Sequence, residues 1–244
     1  MSAVLQADSP VLLREDAGGV TTLTLNRPAQ MNLLTGEMIA ALQGAFDAIA
    51  KDRSVRVVVL AGAGKGFCAG HDLKEIRDRK DLARINALFD DCSRMMLALT
   101  RLPQPVIARV HGIATAAGCQ LVSMCDLAVA ADDAVFALPG VNVGVFCSTP
   151  AVGVARNIGR KRAMEMLFTG DTIDAATALE WGLINRCVPV AELEAQVAAL
   201  AAAIAGKSRA VLALGKAAFY RQIEQGFDAD RKSTRLNSSH ITIS

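Results

Sequence analysis

The stretch Val55–Ala61 (VRVVVLA) constrains the fold more than any other part of the chain: it is short, β-branched and nearly continuous in apolar residues, as a fully buried strand is. A second strand is predicted at Val20–Asn26 (VTTLTLN), where β-branched and apolar residues alternate. Between the two, Met38, Ala41, Leu42, Ala45, Phe46 and Ile49 follow the i, i+3, i+4, i+7 pattern of a helix. Thr35 is placed to cap that helix and Glu37 lies in its first turn. These segments make a β–α–β unit. A second unit follows: a helix across Leu82–Leu99, a break at the Pro-Gln-Pro of 103–105, a strand Val106–Val110, a short apolar helix from Thr115, and a strand Leu127–Ala130. Strands alternating with helices predict an α/β layered core. Beyond residue 150 the pattern is helical at Arg160–Thr169, Asp174–Trp181, Ala191–Ala205 and Ser208–Gln225, and only Ile184–Val188 reads as extended.

With 244 residues, 52% of them hydrophobic, the chain can bury one sizeable core. A formal charge of +2 leaves no basic stripe for nucleic acid and favours a small-molecule role. The cysteines at 68, 92, 119, 125, 147 and 187 form no CxxC and read as buried thiols in a reducing compartment. His71, His111 and His240 have no metal-binding spacing, so no metal is expected. No apolar run is suited to span a membrane, and the Ala-rich Val197–Ala205 reads as part of a buried helix. The start of the chain shows neither a secretory pattern nor an Arg-rich, acid-poor one, which gives the expectation of a cytoplasmic location.

Organisation along the chain is expected in three parts. Residues 1–189 form the core, residues 190–229 a C-terminal helical region that is incomplete, and residues 230–244 (DRKSTRLNSSHITIS) a non-native tail resembling a translated sequencing adapter. His240 falls in that tail and is left out of the functional argument.

Chemistry is expected in two stretches of small residues, each directly after a buried strand. The first, AGAGKGFCAGHDLKE at 61–75, completes neither GxxxxGK[ST] nor GxGxxG, so both nucleotide motifs fail. Glycines there let a backbone approach a ligand and turn N–H groups toward an oxygen, although a plain tight turn uses them equally. The second, HGIATAAGCQL at 111–121, leads into an apolar helix whose first N–H groups lack internal partners. Close helix–sheet packing alone is an equal reading of it.

Four segments in order carry a resemblance: LNRPAQMN (25–32), GKGFCAGHDLKE (64–75), PVIARVHGIATAAGCQLVSMCDLAVA (105–130) and ATALEWGLINRCVP (176–189). Over most of residues 10–228 the chain resembles the enoyl-CoA hydratase/isomerase (crotonase) family, and within it the enoyl-CoA hydratase domain-containing protein 3 branch. The resemblance implies a spiral of ββα turns followed by C-terminal helices that support trimers or dimers of trimers. It implies an acyl-CoA thioester as substrate, with no cofactor beyond the coenzyme A that the substrate carries. Its oxyanion hole would be built from the backbone N–H groups of His71 and Ala117, the latter followed by Gly118. Acyl-CoA contacts would lie along His71, Asp72, Leu73 and Lys74 and near Arg27 and Ala29.

The resemblance fails where proton transfer is concerned. Hydratases of the family use two glutamates, and the matching positions here hold Gln120 and Gly140. An amide orients water but does not take its proton at neutral pH. A third carboxylate position used in other branches maps to Ser148. Asp72, Cys147 and the His71 side chain remain as candidates, with loop shaping the simpler role for Asp72 and packing for Cys147. Asp126 reads as a hydrogen-bonded structural residue at a helix–strand join. The leading expectation is an acyl-CoA-binding protein that is nominally a hydratase or isomerase. The alternatives are other enolate chemistry (isomerisation, decarboxylation, thioester hydrolysis) and a non-catalytic CoA-thioester sensor.

Overall fold

The computed structural model describes residues 9–79 and 81–225; the expected tail at 230–244 lies outside them. Strands β1 (Leu12–Ala17) and β2 (Val20–Leu25) form a hairpin whose turn, Gly18-Gly19, takes positive φ at both residues (58° and 80°), as a two-residue turn matched to strand twist requires. Helix α1 (Gly36–Lys51) crosses over, and β3 (Val57–Gly62) returns parallel to β2. Thr35 caps α1 as expected, its hydroxyl accepting from Met38 N at 3.2 Å.

The chain continues through α2 (Leu73–Arg79), α3 (Leu82–Arg101), β4 (Val106–Val110), β5 (Ile113–Thr115), α4 (Ala117–Met124), β6 (Leu127–Ala131) and β7 (Val135–Ala137). It then runs through α5 (Ser148–Asn157), α6 (Arg160–Thr169), β8 (Thr172–Asp174), α7 (Ala175–Trp181), β9 (Arg186–Val188), α8 (Leu193–Ala205) and α9 (Arg209–Gln222). One sheet has the order β1-β2-β3-β4-β6-β9, parallel except for β1, and a smaller one has the order β5-β7-β8. Each turn of the spiral gives a strand to the large sheet and then an extended segment to the small one: Cys68 bridges to Ala114 of β5, and β5 pairs with β7.

Burial on both faces explains the continuous apolar run of β3. Val57 and Val59 pack with Ile107 and Val129 against Leu193, Val197 and Ala201 of α8, while Val58 and Leu60 face the main core with Phe46, Phe67 and Met95. Each such side chain contributes about 1.5–3 kcal/mol on burial. The structure moves the helix predicted from Thr115: that residue ends β5, and α4 begins at Ala117. Strands β1, β5, β7 and β8 were not foreseen, because a three-residue strand, or one reading LLREDA, shows no apolar period.

Asp126 holds the C-terminal helix to the core. Its Oδ2 accepts from Val106 N at 2.7 Å and Lys216 Nζ at 2.6 Å, and its Oδ1 accepts from Tyr220 OH at 2.9 Å. The Lys216 ammonium also donates to Leu99 O (2.8 Å) and Gln104 O (3.1 Å), so its three donors are all used. Burial lowers the Lys216 pKa, an effect Asp126 opposes, and burial raises that of Tyr220. Among the described residues no single helix is long and apolar enough to cross a membrane.

Candidate functional site

Three loops are sewn together at the ends of the parallel strands. Asn32, fully buried and at φ 54°, donates its amide to Ala63 O and Gly66 O, both at 2.9 Å, and accepts from Arg27 N at 2.9 Å. Ala69 N donates to Met31 O (3.0 Å) and Leu34 N to Gly70 O (2.8 Å). From the other side, Thr115 N donates to Cys68 O at 3.0 Å and its hydroxyl to Ala69 O at 3.1 Å. This lattice presses the loop before His71 onto the start of α4. A Cβ on Gly70, which sits at φ 95°, would stand 3.0 Å from Ala116 Cβ and 3.2 Å from Ala117 N. Glycine is required there by both conformation and space.

Ala116 makes the entry into α4 unusual. It has φ 50° and ψ −119°, a region that L residues avoid, and it offers no side-chain cap to the helix. Its own N–H goes to Ala137 O at 2.9 Å. The N–H groups of His71 and Ala117 are taken by no hydrogen-bond acceptor among the described residues. Gly118 packs flat on the Cys68 carbonyl, where any Cβ would collide with that oxygen. The strain at Ala116 gives a direct expectation: Ala116→Gly raises unfolding stability by about 1 kcal/mol, measured by urea denaturation.

Side chains at this meeting point carry unsatisfied atoms. The His71 ring places Nδ1 3.3 Å from Leu34 O and packs edge-on against Phe89, with centroids 5.3 Å apart. Among the described residues its Nε2 is buried with no partner, and so is Oε1 of Gln120, a residue only 6% exposed and one turn into α4. Desolvation lowers the His71 pKa, more than the Leu34 carbonyl and Glu75 raise it. Asp72 is engaged elsewhere: its Oδ1 accepts from Lys74 N (2.9 Å) and Glu75 N (3.2 Å), capping α2.

The other predicted residues divide. Leu73 and Lys74 are exposed at the start of α2, and Ala29 is exposed in the short 3-10 turn Pro28–Gln30. Arg27 spends its guanidinium on the carbonyls of Asn26 (2.8 Å) and Ser9 (3.0 Å), which ties it to the loop before β1. Gly140 is buried, and a Cβ there would meet the Val145 carbonyl and lie 2.8 Å from Cys147 Sγ. The Cys147 thiol is raised by burial, while Ser148 is exposed as the first residue of α5, its hydroxyl donating to Phe146 O at 3.3 Å. Cys68 and Cys119 are pushed up to about 12 by burial, as packed thiols are. Asn32, Thr115 and Ala116 were missed as site residues; Asn inside LNRPAQMN was the available signal, since Asn tolerates positive φ.

The sequence model described as enoyl-CoA hydratase/isomerase matches residues 15–242. This chain belongs to the enoyl-CoA hydratase/isomerase family. A crystal structure titled as enoyl-CoA hydratase from Mycobacterium smegmatis is 52% identical, superposes with a TM-score of 0.94, and covers 97% of this chain and 92% of its own. That of human enoyl-CoA hydratase domain-containing protein 3 is 41% identical with a TM-score of 0.91, covering 94% of this chain and 90% of its own. The mouse protein of that name is 45% identical over 207 residues, 85% of this chain and 69% of its own length. The family fold expected from the resemblance, a mixed α/β spiral with a C-terminal helical region, is the fold found. The expected cytoplasmic location is overturned: the enoyl-CoA hydratase domain-containing protein 3 relatives in mouse, rat, human and Xenopus laevis are all named mitochondrial. Compartment is set by address signals that leave no mark on a folded core, so composition was a poor guide to it.

Proposed function

We propose that this enoyl-CoA hydratase/isomerase family member binds an acyl-CoA thioester with its carbonyl oxygen between the N–H groups of His71 and Ala117. The supporting observation is that, among the described residues, both groups lack an acceptor at a point where Gly70 is packed against Ala117 N. Such donors are worth roughly 3–4 kcal/mol each to an enolate-like transition state. Coenzyme A would run along the loops of Arg27–Ala29 and His71–Lys74, and the chemistry needs no other cofactor. Exposed apolar side chains, Phe146 and Phe168 with ring centroids 6.3 Å apart together with Val143, Val145 and Val152, support assembly as a homotrimer or dimer of trimers.

With Gln120 and Gly140 at the glutamate positions, the reaction supported is slow hydration or isomerisation. Crotonyl-CoA hydration is expected to run about 10²–10⁴-fold below a family hydratase that carries both glutamates. A rate equal to that hydratase would refute the importance of the two positions. The same two residues favour a second reading, a CoA-thioester sensor, which predicts micromolar binding with no product detectable by mass spectrometry from a panel of acyl-CoA esters.

A further inference from the structure

The segments that carry the two free donors also carry two acceptors, His71 Nε2 and Gln120 Oε1, that are buried and without partners among the described residues. An unpaired buried acceptor costs about 1–3 kcal/mol, so two of them, one on the residue that follows Gly70 and one a single turn along α4 from the Ala117 N that Gly70 packs against, are features of a site completed by a ligand. Their chemistry is set by their surroundings. A carbonyl oxygen only accepts, so the contact with Leu34 O puts the ring proton of His71 on Nδ1 and leaves the lone pair on Nε2. Phe89 of α3 holds the ring plane, with an interplanar angle of 72°. The charged group acting on the ring is Glu75 of α2, while its contacts from the α1 and α3 sides, Leu34 and Phe89, are uncharged.

We propose that His71 Nε2 and Gln120 Oε1 together hold the water that adds to a 2-enoyl thioester, or the hydroxyl of the 3-hydroxyacyl product, and that His71 is the proton-transfer group. This rests on the acyl-CoA reading above. Two acceptors match the two hydrogens of water, as two donors match the one thioester oxygen. In hydration the water oxygen bonds to C3 while its proton passes to Nε2. The C2–C3 π pair shifts toward C1, and the enolate oxygen is held by the N–H groups of His71 and Ala117. The imidazolium then returns that proton to C2, so one O–H bond breaks, one C–O and one C–H bond form, and nothing is oxidised or reduced. Gln120 orients the water and takes no proton.

His71→Asn is the selective test, because it keeps the main-chain donor and a side-chain N–H for Leu34 O while deleting Nε2. Crotonyl-CoA hydration is expected to fall at least about 10²-fold, with KM and melting temperature unchanged. Full turnover by this variant overturns the proposal. A second measurement needs no turnover: in protein labelled with ¹⁵N-histidine, the Nε2 resonance of His71 is expected to move toward the protonated range with 3-hydroxybutyryl-CoA and not with butyryl-CoA. Binding of both thioesters without that difference overturns this proposal alone. Failure of both to bind removes the acyl-CoA reading and this proposal with it.

Discussion

Replacing Lys216 by Ala is expected to lower the unfolding free energy by about 3 kcal/mol, the lower end of the cost of stripping one partner from a buried ion pair. The side chains of Lys216 and Asp126 are only 7% and 16% exposed, so a carboxylate that loses its cation there would gain little solvent in exchange. The effect is local as well as large. Helix α9 has no buried residue, and its Val211, Leu214 and Phe219 are exposed, so Lys216 and Tyr220 carry its attachment. Amide hydrogen exchange across Arg209–Gln222 should therefore accelerate at least about tenfold, a shift of 1.4 kcal/mol or more in local opening, while the parallel strands keep their protection. Unchanged exchange in α9 would show that contacts other than the Lys216–Asp126–Tyr220 cluster hold it.

Gln120→Glu is expected to raise crotonyl-CoA hydration by about 10²-fold, the lower end of what one positioned acid–base group supplies. The change is nearly isosteric at a side chain that is already buried with a free Oε1, and it falls in the first turns of α4, where the helix N-terminus favours a carboxylate. Stopped-assay product formation measures it, and an unchanged rate would sink the assignment of position 120 to the chemistry. Gly140→Glu should behave oppositely. Its Cβ has no room beside the Val145 carbonyl and Cys147 Sγ, so melting temperature falls with no gain in rate. A carboxylate enters at 140 only if the Val145–Cys147 segment moves.

Much of the scaffold was legible before the structure. Val106–Val110 and Arg160–Thr169 match to the residue, and Thr35 caps α1 as its position before an apolar-periodic run predicts. The entry to α4 was not legible. Thr115 reads as helical beside Ala116 and Ala117, yet its N–H and hydroxyl serve the Cys68–Ala69 backbone and it becomes the last residue of a strand. Tertiary hydrogen bonds of that kind override local propensity, and they leave no period in the sequence. Asp72 stood as a catalytic candidate with loop shaping as its simpler role, and only the structure showed its carboxylate capping α2.

The chain's letters by themselves determined the α/β layering, the small residues after each buried strand, and the amide and glycine at the two positions where the resemblance leads one to expect glutamates. They did so because periodicity and residue type are local properties. Only the tertiary structure decided that Gly70 packs against Ala117 N, that His71 Nδ1 faces Leu34 O, and that Lys216 reaches Asp126. Each of these depends on contacts between segments far apart in sequence, 46 residues for Ala69 to Thr115 and 90 for Asp126 to Lys216, and such distances are closed by packing rather than by pattern.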